Sequence, residues 1–218
     1  MQVSKGVEVL ELEFNGTMIY PTLLWDQDMA VLIDTGFPGQ MEDLRVAIDK
    51  IGVAFDNIQV VILTHQDIDY IGNLPDILQN DGSNMKVYAH ELDKPYIQGD
   101  FPLLKDGHIA NPPKGRVDET LHDGQELPYC GGILVIHTPG HTPGHISLYL
   151  RQSKTLVAGD SMYSVNGVLQ GVHLPTTLNI EAARQSLKKY INLDIESVVC
   201  YHGGLSLANS NEQILKFQ

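Results

Sequence analysis

Cysteine is scarce in this chain, with two residues, Cys130 and Cys200, among 218. A pair is too few for a disulfide framework, and each sits beside a strand-like apolar run where a small buried thiol is the ordinary role. No apolar run approaches the length that crosses a bilayer. The start, Met1-Gln2-Val3-Ser4-Lys5-Gly6-Val7-Glu8, lacks the continuous apolar stretch of a signal peptide, so export is not expected and the cytoplasm is the expected location. Positive charge is also in short supply. Fourteen Lys and Arg stand against 27 Asp and Glu, and the net charge of −13 repels phosphate backbones and argues against nucleic acid as a partner. No repeat, low-complexity tract or linker interrupts the chain, whose length suits one domain spanning 1–218. With membrane and nucleic acid set aside, the expected partner is a small-molecule substrate.

The patterning that is present alternates short strands with helices. Val7 to Leu12, Thr17 to Trp25 and Met29 to Ile33 read as a meander punctuated by Asn15-Gly16 and Asp26-Gln27-Asp28. Leu44, Ala47, Ile48 and Ile51 recur at helical spacing within Met41 to Ile51, and Gly52 ends the run. A helix is expected from Gly72 to Leu78 and a strand from Lys86 to Ala89, leading to His90. The segment from Tyr96 to Val117 holds three prolines and three glycines without a sustained period. It reads as a long loop whose Phe101, Leu103 and Leu104 suggest a lid or substrate wall. Ile133 to Ile136, the pair Ile146 to Leu150 and Thr155 to Ala158, the helix Ile180 to Tyr190 and a last strand Val198 to Cys200 complete the pattern. Strands then helix, twice over, predict two sheet-and-helix halves packed sheet against sheet.

Four places carry polar ligands at strand ends. After the apolar run Val60-Val61-Ile62-Leu63 come His65, Asp67 and Asp69 at alternate positions, which extended backbone would point to one side. Bare carboxylates gathered there would repel and be costly to desolvate unless a cation is bound. The run His137-Thr138-Pro139-Gly140-His141-Thr142-Pro143-Gly144-His145 has too much proline and glycine for a helix. It is a rigid loop that fixes an imidazole, with His141 the best candidate. Thr155 to Asp160 ends in Ala158-Gly159-Asp160, and Val198 to Gly204 ends in His202-Gly203-Gly204.

With these motifs, together with Leu32-Ile33-Asp34-Thr35-Gly36, the chain strongly resembles the metallo-β-lactamase superfamily over nearly its whole length. The resemblance implies an α/β, four-layer αββα sandwich of two mixed β-sheets flanked by helices. In the usual H-x-H-x-D-H motif two histidines bind one metal, and the aspartate and last histidine bind a second. Carried over, His65, Asp67 and His141 would hold the first ion, Asp69, position 70 and His202 the second, with Asp160 shared and Asp34 bracing the metal loops. Asp67 and Tyr70 stand where the family has histidine. A carboxylate at 67 hardens the site toward manganese or iron. A phenol with a pKa near ~10 is a poor ligand, so Tyr70 is expected off the metal and the second ion weakly held.

The expected activity is hydrolysis by a metal-bound hydroxide at a mono- or dinuclear site on a small ester, thioester or lactone. The cofactor is one or two divalent ions, zinc foremost, with manganese or iron compatible. Asp160 would orient metal and nucleophile, and Asp69 could accept a proton if the second ion is absent. Glutathione thioesters are disfavoured, because the glyoxalase II branch carries a C-terminal helical domain for which little chain remains after His202. Two alternatives stay open: a diiron-type redox protein acting on a small oxidant, and a metal-binding protein with little catalysis because of Tyr70.

Overall fold

The computed structural model describes residues 1–80 and 85–217. Seven strands form one sheet, in the spatial order Gln2–Ser4, Val7–Val9, Thr22–Trp25, Ala30–Ile33, Ile58–Ile62, Lys86–His90 and Glu119–Leu121. Six form the other, in the order Glu126–Leu127, Ile133–His137, Ile146–Leu150, Thr155–Gly159, Ser197–Cys200 and Gly204–Ser206. Both sheets are mixed. Ala30–Ile33, Ile58–Ile62, Lys86–His90 and Glu119–Leu121 run parallel in the first, as do Thr155–Gly159 and Ser197–Cys200 in the second.

The period of two sorts side chains into layers. In Ala30–Ile33, Ala30 and Leu32 pack with Leu44 and Ile48 of the helix Met41–Asp49, while Val31 and Ile33 meet Val135, Ile146 and Val157 of the opposite sheet. In the second sheet, Val157 faces that shared interior, whereas Leu156 and Ala158 pack with Leu187 of the helix Ile180–Leu187 and Ile214 of the helix Ser210–Leu215. The result is a four-layer αββα sandwich. Strands covered on both faces read as nearly unbroken apolar runs, as Val60-Val61-Ile62-Leu63 does.

Several elements differ from their sequence expectation for local reasons. The stretch Thr17 to Trp25 is two strands, Thr17–Ile19 and Thr22–Trp25, parted at Pro21, which has no N–H for a ladder. The helix expected from Gly72 to Leu78 is found as Leu74–Asn80, and a separate short helix, Ile68–Ile71, precedes it. At their junction Gly72 is wedged against the Gly36 to Pro38 backbone, where a Cβ would lie 2.3 Å from the Gly36 carbonyl oxygen. The last strand is Gly204–Ser206 rather than Ser197–Cys200, to which it pairs antiparallel. The long loop begins only after a helix at Lys94–Gln98. Cys200 is buried as expected, whereas Cys130 is only partly so, in a turn. Among the described residues no helix is long and apolar enough to cross a membrane.

Parallel strands deliver their carboxyl ends to one edge of the sandwich, and the ligand motifs follow those ends. Asp34 follows Ile33, His65 follows Ile58–Ile62, Asp160 follows Gly159 and His202 follows Cys200. The Ile146 N–H donates to the Thr64 carbonyl at 2.9 Å, which joins the two sheets beside the site.

Candidate metal centre

His65 is aimed by a relay through Thr64. Asp34 is fully buried, and it accepts from the Thr64 N–H at 2.8 Å and from the Thr64 hydroxyl at 3.0 Å. That hydroxyl lies 3.1 Å from His65 Nδ1. A hydroxyl already donating to Asp34 must accept from His65, which assigns the proton to Nδ1 and leaves the Nε2 lone pair free. Burial pushes the Asp34 pKa well up, and the two Thr64 bonds counter it. Asp34 also sits at φ +62°, a left-handed conformation that aspartate tolerates better than most side chains.

Asp93, absent from the sequence expectations, ties two loops together. Its carboxylate accepts from the Gln66 N–H at 3.0 Å, the Gln66 side-chain amide at 3.2 Å, the Thr142 hydroxyl at 2.7 Å and the Gly144 N–H at 2.8 Å. Gly144 is required there, because a Cβ would lie 2.6 Å from Asp93 Oδ1. The other end of the loop is fixed at Gly140, which at φ +139° lies against Ala183 and accepts from the Asn179 N–H at 2.8 Å.

His145 is a structural imidazole. Its Nε2 accepts from the Asp160 N–H at 2.8 Å, and its Nδ1 lies 2.8 Å from the Thr138 hydroxyl. Burial, with His65 and His141 adding to it, holds its pKa well below the ordinary value, so it stays neutral and serves as that acceptor.

These braces bring His65, Asp67, His141 and Asp160 together, with one ligand atom from each lying within 4.8 Å of all the others. His141 Nε2 is 2.9 Å from Asp67 Oδ2 and 2.9 Å from Asp160 Oδ2. Burial works against a charged His141, but Asp160 and Asp67 outweigh it and raise the pKa to about 9. Burial likewise opposes ionisation of Asp67 and Asp160, and the imidazoles reverse the sign: His65 and His141 hold Asp67 well below the carboxylate range, and His141, His202 and His65 do the same for Asp160. His65 Nε2 is buried without a hydrogen-bond partner although Asp67 Oδ2 is 3.3 Å away. An orphaned imidazole lone pair facing two carboxylates fits a cation, and a set of two nitrogens and two oxygens suits a divalent ion of zinc, manganese or iron type.

Asp69 and His202 lie beside this cluster rather than in it. Their atoms meet each other, His202 Nε2 to Asp69 Oδ2 at 3.2 Å, with Asp160 Oδ1 3.7 Å from His202 Nε2. The alternation that would have aimed Asp69 with His65 and Asp67 ends early: the strand stops at Ile62, and a helix begins at Ile68 with Asp67 as its N-cap. Tyr70, fully buried, donates its hydroxyl to Asp160 Oδ1. Burial and the nearby Asp160 and Asp69 push its pKa well up, so it remains a neutral donor.

A cavity of about 510 Å³ opens over the cluster, with Phe37, Ile68, Met162, Tyr163 and His173 supplying its less polar wall. The long loop contributes Lys105 and Asp106 to the lining, not the apolar residues expected of it. Leu103 is instead buried in the core, and Phe101 is 56% exposed. Lys105 was not anticipated at all: its Nζ lies 2.6 Å from Asp67 Oδ2 and 2.6 Å from His141 Nε2.

The profile described as the metallo-beta-lactamase superfamily matches residues 15–202. The chain belongs to that superfamily. Membership makes it an enzyme of the metal-dependent hydrolase class. A Bacillus subtilis protein named probable metallo-hydrolase YflN is 32% identical over 93% of this chain and 85% of its own length. Hydroxyacylglutathione hydrolase GloC of Haemophilus influenzae is 27% identical over 65% of this chain and 66% of its own. The solved structure of metallo-beta-lactamase family protein TTHA1429 from Thermus thermophilus superposes with a TM-score of 0.75 at 21% identity, covering 99% of this chain and 79% of that one. That likeness shows the fold.

Proposed function

We propose that the chain hydrolyses a small ester or thioester with one divalent ion, held by His65, Asp67, His141 and Asp160. The observation that carries a single ion is Tyr70. Where the family motif has a histidine, this chain has a buried phenol that donates to Asp160 Oδ1 and so takes up the oxygen a second ion would share. Among the described residues only one group of three or more ligands converges. The diiron reading has the carboxylate at 67 in its favour, but it needs a second ion beside the one that this group would hold.

When bound, the ion supplies a Lewis acid and a water acidified toward neutral pH. Asp160 is fixed from both sides, by the His145 contact to its backbone and the Tyr70 bond to its side chain, so its carboxylate can orient a nucleophile without reorganising. Asp69 and His202 border the cavity as a hydrogen-bonded pair that can hold a proton at Nε2 and pass it to a leaving group. Burial lowers the His202 pKa, but the bond to Asp69 and the charge of Asp160 reverse this and raise it, which suits a proton donor. Zinc is the favoured ion, with manganese or iron accommodated by the carboxylate at 67. Glutathione thioesters, disfavoured on sequence, return as candidates, since a relative named for that hydrolysis aligns over 66% of its own length.

Metal content decides between one ion and two. Wild type loaded with excess zinc and desalted is expected to retain about one equivalent, and Tyr70→His about two, since the substitution restores a neutral nitrogen donor and frees Asp160 Oδ1. Two equivalents in wild type would refute the single-ion reading. No hydrolysis across a panel of esters, thioesters and lactones by zinc-, manganese- or iron-loaded protein would refute the substrate assignment.

A further inference from the structure

Lys105 is held at the ligand edge of the metal centre by the fold, not left there by a wandering side chain. Leu103 is buried in the core at 3% exposure, and the Leu104 N–H donates to Gln66 Oε1 at 2.9 Å. Gln66 is itself bound to Asp93 through its backbone and its amide. The loop is therefore pinned, one residue before Lys105, to the residue between His65 and Asp67. Among the described residues that line the cavity, Lys105 is the only Lys or Arg.

We infer that Lys105 is a tethered internal cation that competes with the divalent ion for Asp67 and His141. The inference rests on the metal-hydrolase reading above. Asp67 and Asp160 are nearly buried carboxylates whose charges repel and call for cationic groups beside them, of which His141, 2.9 Å from an oxygen of each, is one. The Lys105 ammonium meets that need from within the chain, at 2.6 Å from Asp67 Oδ2. At 2.6 Å its Nζ also abuts His141 Nε2. Lys105 contacts Asp67 Oδ2 and His141 Nε2, the same atoms through which those two residues face each other, so a divalent ion held there must displace the ammonium. A flexible four-carbon stem lets a compact ammonium leave when a divalent ion arrives, which the planar guanidinium of arginine would do less readily. The metal-free protein is thereby kept folded, at the expense of metal affinity.

The test is zinc affinity by competition with a chromophoric chelator, using metal-free wild type, Lys105→Met, Lys105→Gln and His141→Ala. Melting of the metal-free and zinc-loaded forms is followed alongside. Both Lys105 variants are expected to bind zinc about tenfold more tightly or better, the order of effect of a close charge pair. Their metal-free forms should melt lower, and the gap between metal-free and zinc-loaded forms should widen. The glutamine variant keeps a polar group, so loss of folding in the methionine variant alone leaves the comparison intact. Zinc affinity equal to or weaker than wild type in both overturns the role of Lys105 and leaves the metal centre standing. Zinc binding by His141→Ala equal to that of wild type overturns the metal centre, and the role of Lys105 with it.

Discussion

Replacing Asp160 by alanine is expected to lower kcat/KM on any ester or thioester that wild type hydrolyses by about a thousandfold or more, with Asp160→Asn not far behind. The carboxylate is placed to do two things at once: Oδ2 lies 2.9 Å from His141 Nε2 among the ligand atoms, while Oδ1 receives the Tyr70 hydroxyl. Asparagine keeps the shape and loses the charge, so it tests whether charge or position matters more. Folding should suffer less than activity. The Asp160 backbone is held independently of its side chain, by the bond to His145 Nε2 and by the turn in which the Ser161 N–H donates to the Ala158 carbonyl. Truncation leaves the Tyr70 hydroxyl without its acceptor, at about 1–3 kcal/mol, but also relieves repulsion between neighbouring carboxylates. Steady-state kinetics of variants matched for metal content, with melting as the control, give the answer. Activity within tenfold of wild type in both variants would remove Asp160 from the mechanism.

What the sequence made legible was local. His65, Asp67, Asp160 and His202 come shortly after the apolar strands Ile58–Ile62, Thr155–Gly159 and Ser197–Cys200, each of which has a parallel neighbour, and the ends of parallel strands must come together once the sheets form, whereas His141 comes on the loop after Ile133–His137, which pairs antiparallel. The proline and glycine around His141 likewise signal a rigid loop before anything is known of its surroundings. What stayed hidden depends on closure between distant segments. Asp93 lies 27 residues from Gln66 and 51 from Gly144, and nothing in Glu91-Leu92-Asp93-Lys94 distinguishes a buried brace from a solvated helix start. Lys105, 38 residues from Asp67, reaches the centre because Leu103 is drawn into the core. The period-two reading of His65, Asp67 and Asp69 failed at its last member because the backbone changes from extended to helical after Asp67, which sent Asp69 to His202 instead. That Tyr70 is a poor ligand is an expectation from its chemistry alone. That its hydroxyl caps Asp160 follows only from the fold.

Asp93→Ala is expected to cause the largest loss of stability of any single substitution near the site, about 3 kcal/mol or more. Asp93 is fully buried, and its two oxygens accept four hydrogen bonds from Gln66, Thr142 and Gly144. Removing the carboxylate strands the Gln66 and Gly144 N–H groups and the Thr142 hydroxyl where water reaches them poorly. It also leaves a void between the two ligand loops. Asparagine is no rescue, since one of its two terminal atoms is a donor facing other donors, so Asp93→Asn should recover only part of the loss. Metal binding must fall in parallel, because Gln66 lies between His65 and Asp67, and Thr142 follows His141. Bound zinc should then restore more stability to the variant than to wild type only if the loops can still close around it. Urea unfolding of metal-free and zinc-loaded forms of wild type and both variants separates these effects. A loss below about 1 kcal/mol in metal-free Asp93→Ala would mean that the loops hold their positions without the carboxylate, and Asp93 would then have no part in building the centre.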